Sequence, residues 1–255
     1  MLDDLRQRMR ALERPATLEG SVAVLPLGVS EVDAALGGGL ARGALHEIAA
    51  VSEAHLPAAT GFVAGVAKQS SCSALGRAMD GRDKPGHDGG KAIVWLAEDM
   101  GAAESGALYG PGVDGCGIPP ERLFTVSVAH RRDLLWALEE ALRCCSVSVV
   151  IGEIRAGALD GVAVRRLSLA AADSGSLALL LRAAPPEDAS AAATRWIVGA
   201  ASSRGEDPHF TARLVRNRRG PLGSWILTWS DDDGFAAHAQ PLAAPLGDRP
   251  HRAVA

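Results

Sequence analysis

The sequence predicts an α/β protein: a mostly parallel β-sheet flanked by helices, with an antiparallel hairpin near the C-terminal end. Three observations predict it. Short continuous apolar runs, AIVWLA (92–97), SVSVVIGEI (146–154) and SLALLLRAA (176–184), suit strands buried on both faces. Through residues 44–182 such runs alternate with segments of helical periodicity, the pattern of parallel strands joined by crossover helices. FTARLVR (210–216) and SWILTWS (224–230) instead alternate apolar and polar residues, and NRRGPLG joins them as a hairpin.

Composition bounds the rest. The chain has 255 residues, 47% of them hydrophobic, enough for one core with at most a small appendage. A net charge of −4 excludes general coating of nucleic acid, so any such contact is local. Cys72, Cys116, Cys144 and Cys145 form no C-x-x-C pair and have no His at zinc-ligand spacing, so free thiols in a reducing cytosol are expected, with no metal and no cofactor. The N-terminus places acids first and lacks an apolar segment, unlike a signal peptide. No run approaches the roughly 18 apolar residues of a membrane span.

Residues 1–19 read as an amphipathic helix and linker. Leu2, Leu5, Met9 and Leu12 recur at helical spacing over 2–13, Asp3 and Asp4 suit the first turn, and Pro15 ends it. That stripe needs a partner, either the chain's own core or another protein. Residues 20–230 read as the main domain. Within LPLGVSEVDAALGGGLARGALHEI (25–48), Ser30 is expected to cap a short helix that stops at Gly37–Gly39, and ALHEI is a strand bordered by His46.

The continuation, AAVSEAHLPAATGF, stands where a phosphate-binding loop would follow a strand. Such a loop needs G-x-x-x-x-G-K-[ST], because backbone N–H groups cradle phosphate, the Lys neutralises it and the hydroxyl holds Mg²⁺. Here Ala49 and Ala50 open the loop, His55 takes the glycine position, Leu56 the lysine position and Pro57 the hydroxyl position. GK[ST] occurs nowhere in the chain. Residues 58–69 read as the following helix, weakened by Gly61 and Gly65. Lys68 lies about three turns beyond the lysine position and cannot replace it.

Residues 70–90 are Gly-rich and without pattern, and read as a disordered insertion; His87, Asp80, Asp83 and Asp88 there lack the rigid frame a metal needs. After AIVWLA, residues 110–120 read as a loop and RLFTVSV (122–128) as a strand. In RRDLLWALEEALR (131–143), Leu134, Leu138 and Leu142 stack on one face, Asp133 is the expected N-cap and Glu139 pairs with Arg143. Trp136 lies off that stripe, as part of a wider core face or as an interface anchor. Arg131 and Arg132 occupy the helix end that disfavours cations, which points to an anion or acidic partner outside the chain. Residues 159–172 form a further helix, with Arg165 or Arg166 as an ion-pair partner at the rim of the core. RWIVGAAS (195–202) is a strand, and Trp225, Leu227 and Trp229 share one face of the hairpin, turned to the core. Arg213, Arg216, Arg218 and Arg219 cluster around its turn, either tracking phosphates as a DNA contact or standing in solvent paired with Asp231–Asp233. Residues 231–255 read as a flexible tail.

Ligands of such sheets bind outside the carboxyl ends of the strands. The altered loop, Glu98 and Glu153 all fall there. A carboxylate is a general base in phosphate chemistry only where phosphate is held opposite it.

The segments 25–48, 131–154 and 158–182, with RLVRNRRGPLGSWILTW (213–229), resemble the ImuA family, RecA-like proteins of bacterial inducible-mutagenesis cassettes; DLLWALEEAL is the most specific piece. The resemblance covers most of residues 20–230 apart from 70–90. It implies a RecA-like core in which Glu98 stands where RecA-type enzymes carry their water-activating glutamate and Glu153 replaces the Walker-B aspartate. With the loop altered, both become relic positions, and the expected protein is not an enzyme. The resemblance further implies an accessory role in SOS-type, damage-induced translesion DNA synthesis. Its implied partners are an ImuB-type polymerase-like hub protein, an error-prone replicative-type DNA polymerase and RecA. Its implied location is the cytoplasm, at the nucleoid on DNA damage. Leu5, Met9, Leu12 and Trp136 are the candidate partner interface. A DNA-dependent ATPase with an unconventional phosphate site, or a single-stranded DNA-binding module, are the alternatives.

Overall fold

In the computed structural model, residues 23–78, 91–100, 106–155, 157–186, 190–203, 205 and 207–237 are described, the side chains of 72–78 excepted. The expectations for residues 1–19, with Leu5, Met9 and Leu12, lie outside the described residues, as do those for 79–90 and 238–255. The strands are β1 (Val24–Leu25), β2 (Leu40–Ala41), β3 (Ala44–Ala50), β4 (Ala92–Glu98), β5 (Leu123–Val128), β6 (Val147–Ile154), β7 (Leu177–Arg182), β8 (Thr194–Ala200), β9 (His209–Asn217), β10 (Gly223–Ser230) and β11 (Gly234–Ala237). The helices are α1 (Ser30–Ala35), α2 (Leu56–Ala78), α3 (Gly110–Asp114), α4 (Arg131–Arg143) and α5 (Gly161–Ser174).

Nine strands form one sheet in the order β11-β10-β9-β8-β3-β7-β6-β4-β5. From β8 through β5 every pair is parallel, and β9, β10 and β11 are added antiparallel. β6 and β7 are buried along their whole length, as continuous apolar runs require when helices cover both faces. On one face α2 lays Phe62, Val63 and Val66 against Ile48, Trp95, Ile151, Leu179 and Trp196. On the other, Leu134, Leu138 and Leu142 of α4 join Val164 and Leu167 of α5 over Leu96, Val150 and Leu180. β1 and β2 form a separate antiparallel pair. Gly39 makes that pair possible: its φ is +136°, and a Cβ there would stand 2.3 Å from the Leu25 carbonyl oxygen.

The fold corrects several expectations. Ser30 is the first residue of α1 and does not cap it; the Asp33 carboxylate instead accepts from the backbone N–H groups of Leu27 (2.7 Å) and Gly28 (3.0 Å). Residues 70–78 continue α2, so the predicted insertion does not start at 70; Ser70 is buried and accepts from Arg42 at 3.0 Å. Part of the 110–120 loop is the short helix α3, with Pro111 in its first turn. Asp133 lies inside α4, whose N-cap is His130. The acidic segment 231–233 is a turn into β11, so the flexible tail does not begin at 231. Trp136 is 63% exposed, which removes the core reading. The Leu134/Leu138/Leu142 stripe, the Glu139–Arg143 pair and the inward-facing Leu227 and Trp229 are present as the sequence predicts.

Candidate functional site

A cavity of about 470 Å³ opens at the carboxyl ends of β3 and β6, beside the start of α2. β3 ends at Ala50, a single tight turn spans Glu53–His55, and α2 begins at Leu56. Strand, turn and helix therefore follow one another where the altered loop was predicted. The walls are Leu56, Pro57, Gly61 and Ala64 on one side and Leu108, Tyr109, Val113 and Cys116 on the other. Ala49 and Ala50 are fully buried in the sheet and do not line the cavity. Among the described residues no lysine lines it either. Pro57 supplies no N–H, so the first turn of α2 lacks one of the donors a helix start offers an anion.

His55, at the predicted glycine position, turns away. Its Nδ1 accepts from the backbone N–H of Ala200 at 3.0 Å, tying the turn to the end of β8. Among the described residues, the charged groups on the cavity are Glu53, Glu153 and Arg155, with Thr60 and Tyr109 adding hydroxyls. Glu153 is nearly enclosed: it accepts from the Trp95 indole Nε1 at 3.1 Å and from Arg155 Nε at 2.7 Å. Arg155 Nη1 is buried and has no hydrogen-bond partner among the described residues. Glu53 and Glu153 share the lining with Arg155, so the described charged side chains leave the walls without a net positive charge. Burial pushes the Cys116 thiol above its usual range, with Asp231 adding to the effect and Lys68 partly offsetting it, so Cys116 is a poor nucleophile. Lys68 itself donates to Asp231 Oδ1 at 2.6 Å and lies over the Trp229 ring.

Glu98 does not reach this cavity. At the end of β4 it accepts a two-pronged bond from Arg131, Nε at 2.9 Å and Nη2 at 2.8 Å. This corrects the reading of Arg131 as a cation awaiting an external anion: the anion is internal, and the pair clamps the start of α4 to the sheet. Arg132 stays at the surface, 3.5 Å from Asp133. Arg166 is the rim ion-pair residue, on Glu139.

The arginine turn is only partly available. Arg219 Nη2 donates to the Gly37 carbonyl at 3.0 Å and Arg216 Nε to the Ala192 carbonyl at 3.2 Å, while Asn217 Nδ2 reaches the Ala35 carbonyl at 2.8 Å. The turn is thereby docked on the C-terminal end of α1, where free carbonyls gather. Arg213 and Arg218 remain exposed. Burial and then the neighbouring Arg216 hold the Arg218 guanidinium below its usual range. Pairing with Asp231–Asp233 is not what the turn does; Asp231 serves Lys68.

Sequence reasoning missed the role of 106–116, whose residues close the cavity; only 110–120 was read, and only as a loop. It also missed Arg155, a charged residue just past an apolar strand. Among the described residues, no three His, Cys, Asp or Glu side chains gather as metal ligands, and no helix is long and apolar enough to cross a membrane.

No family model matches the chain. It is similar to the Protein ImuA of Caulobacter vibrioides strain NA1000 / CB15N, at 30% identity over 243 residues, covering 88% of this chain and 91% of the relative. The Protein ImuA of strain ATCC 19089 / CIP 103742 / CB 15 matches with the same identity and coverage.

Proposed function

The chain belongs to the ImuA family, and from that premise we propose that it is a non-catalytic accessory protein of SOS-type, damage-induced mutagenesis and translesion DNA synthesis. On this reading the parallel sheet is a RecA-like core that has kept its shape and lost its grip on phosphate, and Glu98 and Glu153 are relic positions. The protein works as a scaffold or regulator through protein contacts in the cytoplasm, at the nucleoid on DNA damage. An ImuB-type hub, an error-prone replicative-type polymerase and RecA are the partners this reading names.

One observation carries it. At the strand-to-helix junction where a nucleotide's phosphates would sit, the wall is Leu56, Pro57, Tyr109 and Val113, flanked by Glu53 and Glu153. Phosphate binding needs backbone donors and a cation, and at the loop positions this wall offers Leu56 in place of the lysine and Pro57, without an N–H, in place of the hydroxyl. Glu98, held by Arg131, is occupied as a structural anchor. The expected result is no shift of the melting temperature with ATP–Mg²⁺ and no ATP hydrolysis above background, with or without DNA.

Arg155 favours a second reading. It is a cation on the same cavity, with one buried nitrogen unpartnered among the described residues. An unconventional phosphate site in a DNA-dependent ATPase would use it. ATP-dependent stabilisation that Arg155→Ala abolishes would establish that reading and overturn the first. A direct DNA contact would rest on Arg213 and Arg218: titration with single-stranded DNA should then show salt-dependent binding that the double Ala variant weakens. Unchanged binding removes that turn as the contact.

A further inference from the structure

We propose that β5 is the seam of a two-fold homodimer, in which the strand pairs antiparallel with its own copy and joins two sheets into one. The proposal stands independently of the role assigned above.

β5 is an edge strand: β4 pairs with one side of it, and among the described residues no strand pairs with the other. Among the described residues its outer N–H and C=O groups have no strand partner, and a second extended backbone can pair with such a row along its length. Edges are ordinarily blunted by a charge, a proline, a bulge or brevity. β5 carries none of these. Its six residues, LFTVSV, include no charged residue and no proline, and its ladder with β4 runs without a register shift. The opposite edge differs: β11 is four residues long and follows three consecutive aspartates, Asp231–Asp233.

The residues of β5 name the occupant. Phe124, Val126 and Val128 point to the α4 face of the sheet, in register with Val94, Leu96 and Glu98. Phe124 is 57% and Val126 38% exposed, an apolar row left uncovered at the rim. Thr125 and Ser127 point to the other face. Read outward from Val126 in either direction, the strand presents hydroxyl and then apolar residues. It is a chemical palindrome. Antiparallel pairing about Val126 sets Val126 opposite itself, Thr125 opposite Ser127 and Phe124 opposite Val128. Hydroxyl meets hydroxyl and an aromatic ring meets a β-branched side chain, the pairings that stabilise neighbouring strands. A two-fold axis demands this self-complementarity, since residue i must suit j while j suits i. An unrelated strand would have no reason to find it.

The test uses the full chain. Sedimentation velocity across a concentration series should show a species of twice the 26.3 kDa chain mass. Val126→Lys places two like charges face to face on the axis and should weaken dimerisation at least about tenfold, with the melting curve of the monomer retained. Val126→Cys supplies a reading that does not depend on that variant folding. At the axis the two Cα atoms would lie about 4.5–5.5 Å apart, within disulfide reach, so mild oxidation should cross-link Val126→Cys to itself well above the wild-type background set by the native cysteines. Phe124→Cys, opposite Val128, should stay at that background. A monomeric wild type overturns the proposal. So does a dimer that Val126→Lys leaves intact, or cross-linking of Val126→Cys no greater than that of Phe124→Cys.

Discussion

His46 shows how much a single residue in this fold depends on its surroundings. It is fully buried in β3, and its two nitrogens are spoken for: Nε2 donates to the Ala41 carbonyl at 2.9 Å, and Nδ1 accepts from the Thr194 hydroxyl at 2.7 Å. Thr194 in turn accepts from the Trp196 indole at 3.1 Å. Each donor has one acceptor, so the network holds a neutral imidazole in one tautomer. Burial pulls its pKa down to about 4; the Ala41 carbonyl opposes the shift and Arg219 adds to it. The unfolded chain therefore binds the proton more readily between pH 6.5 and 4, and folding stability falls as pH drops through that window. The contribution is on the order of 3 kcal/mol, complete above pH 6.5 and lost by about pH 4. Urea unfolding at a series of pH values should show that slope, and His46→Gln should flatten it while lowering stability at neutral pH. An equal slope in both proteins would place the titration elsewhere.

At the scale of elements, α2 is the case where intrinsic preference and tertiary context conflict. Gly65 in a helix interior costs about 1 kcal/mol against alanine. Here its missing Cβ admits two rings, since an alanine Cβ would stand 2.8 Å from the Trp229 ring and 2.9 Å from that of Phe235. Gly65→Ala should consequently destabilise by about 1–3 kcal/mol instead of stabilising, read as a lower denaturation midpoint. Helical periodicity made α4 legible in the sequence, the position after the altered loop marked the start of α2, and continuous apolar runs did the same for β4, β6 and β7. What periodicity did not reveal is where those elements stop. Ser70 and Ser71 are polar yet buried, because they bond to Arg42 and to the Ala67 carbonyl, and α2 runs on through residues that read as linker.

At the scale of the whole molecule, the antiparallel end of the sheet is an integral wall of the core. Phe62 of α2 meets Trp196, Phe210 and Phe235 with ring centroids 5.1–6.0 Å apart, so β8, β9 and β11 close over one helix. Phe235→Ala should therefore cost about 3–5 kcal/mol, close to a Phe deletion from any buried core. A loss below about 1 kcal/mol, the scale of a surface substitution, would show that β11 is an appendage. The same closure positions the cavity, whose walls come from α2, from the 106–116 segment and from the end of β6.

The sequence by itself determined the α/β class, the run of parallel strands, the final hairpin and the absence of GK[ST] at the β3–α2 junction. These are local properties: apolar period and residue type are written in consecutive positions. It also carried the family, through segments spread along the chain. Only the tertiary structure decided that Arg131 answers Glu98, that Arg155 enters the cavity with Glu153, that Trp136 stays outside the core and that β5 ends up on an edge. Each of these depends on which distant element lies alongside. Residues 33 positions apart, such as Glu98 and Arg131, become partners through the order of the strands, and that order is not encoded in any window of neighbouring residues.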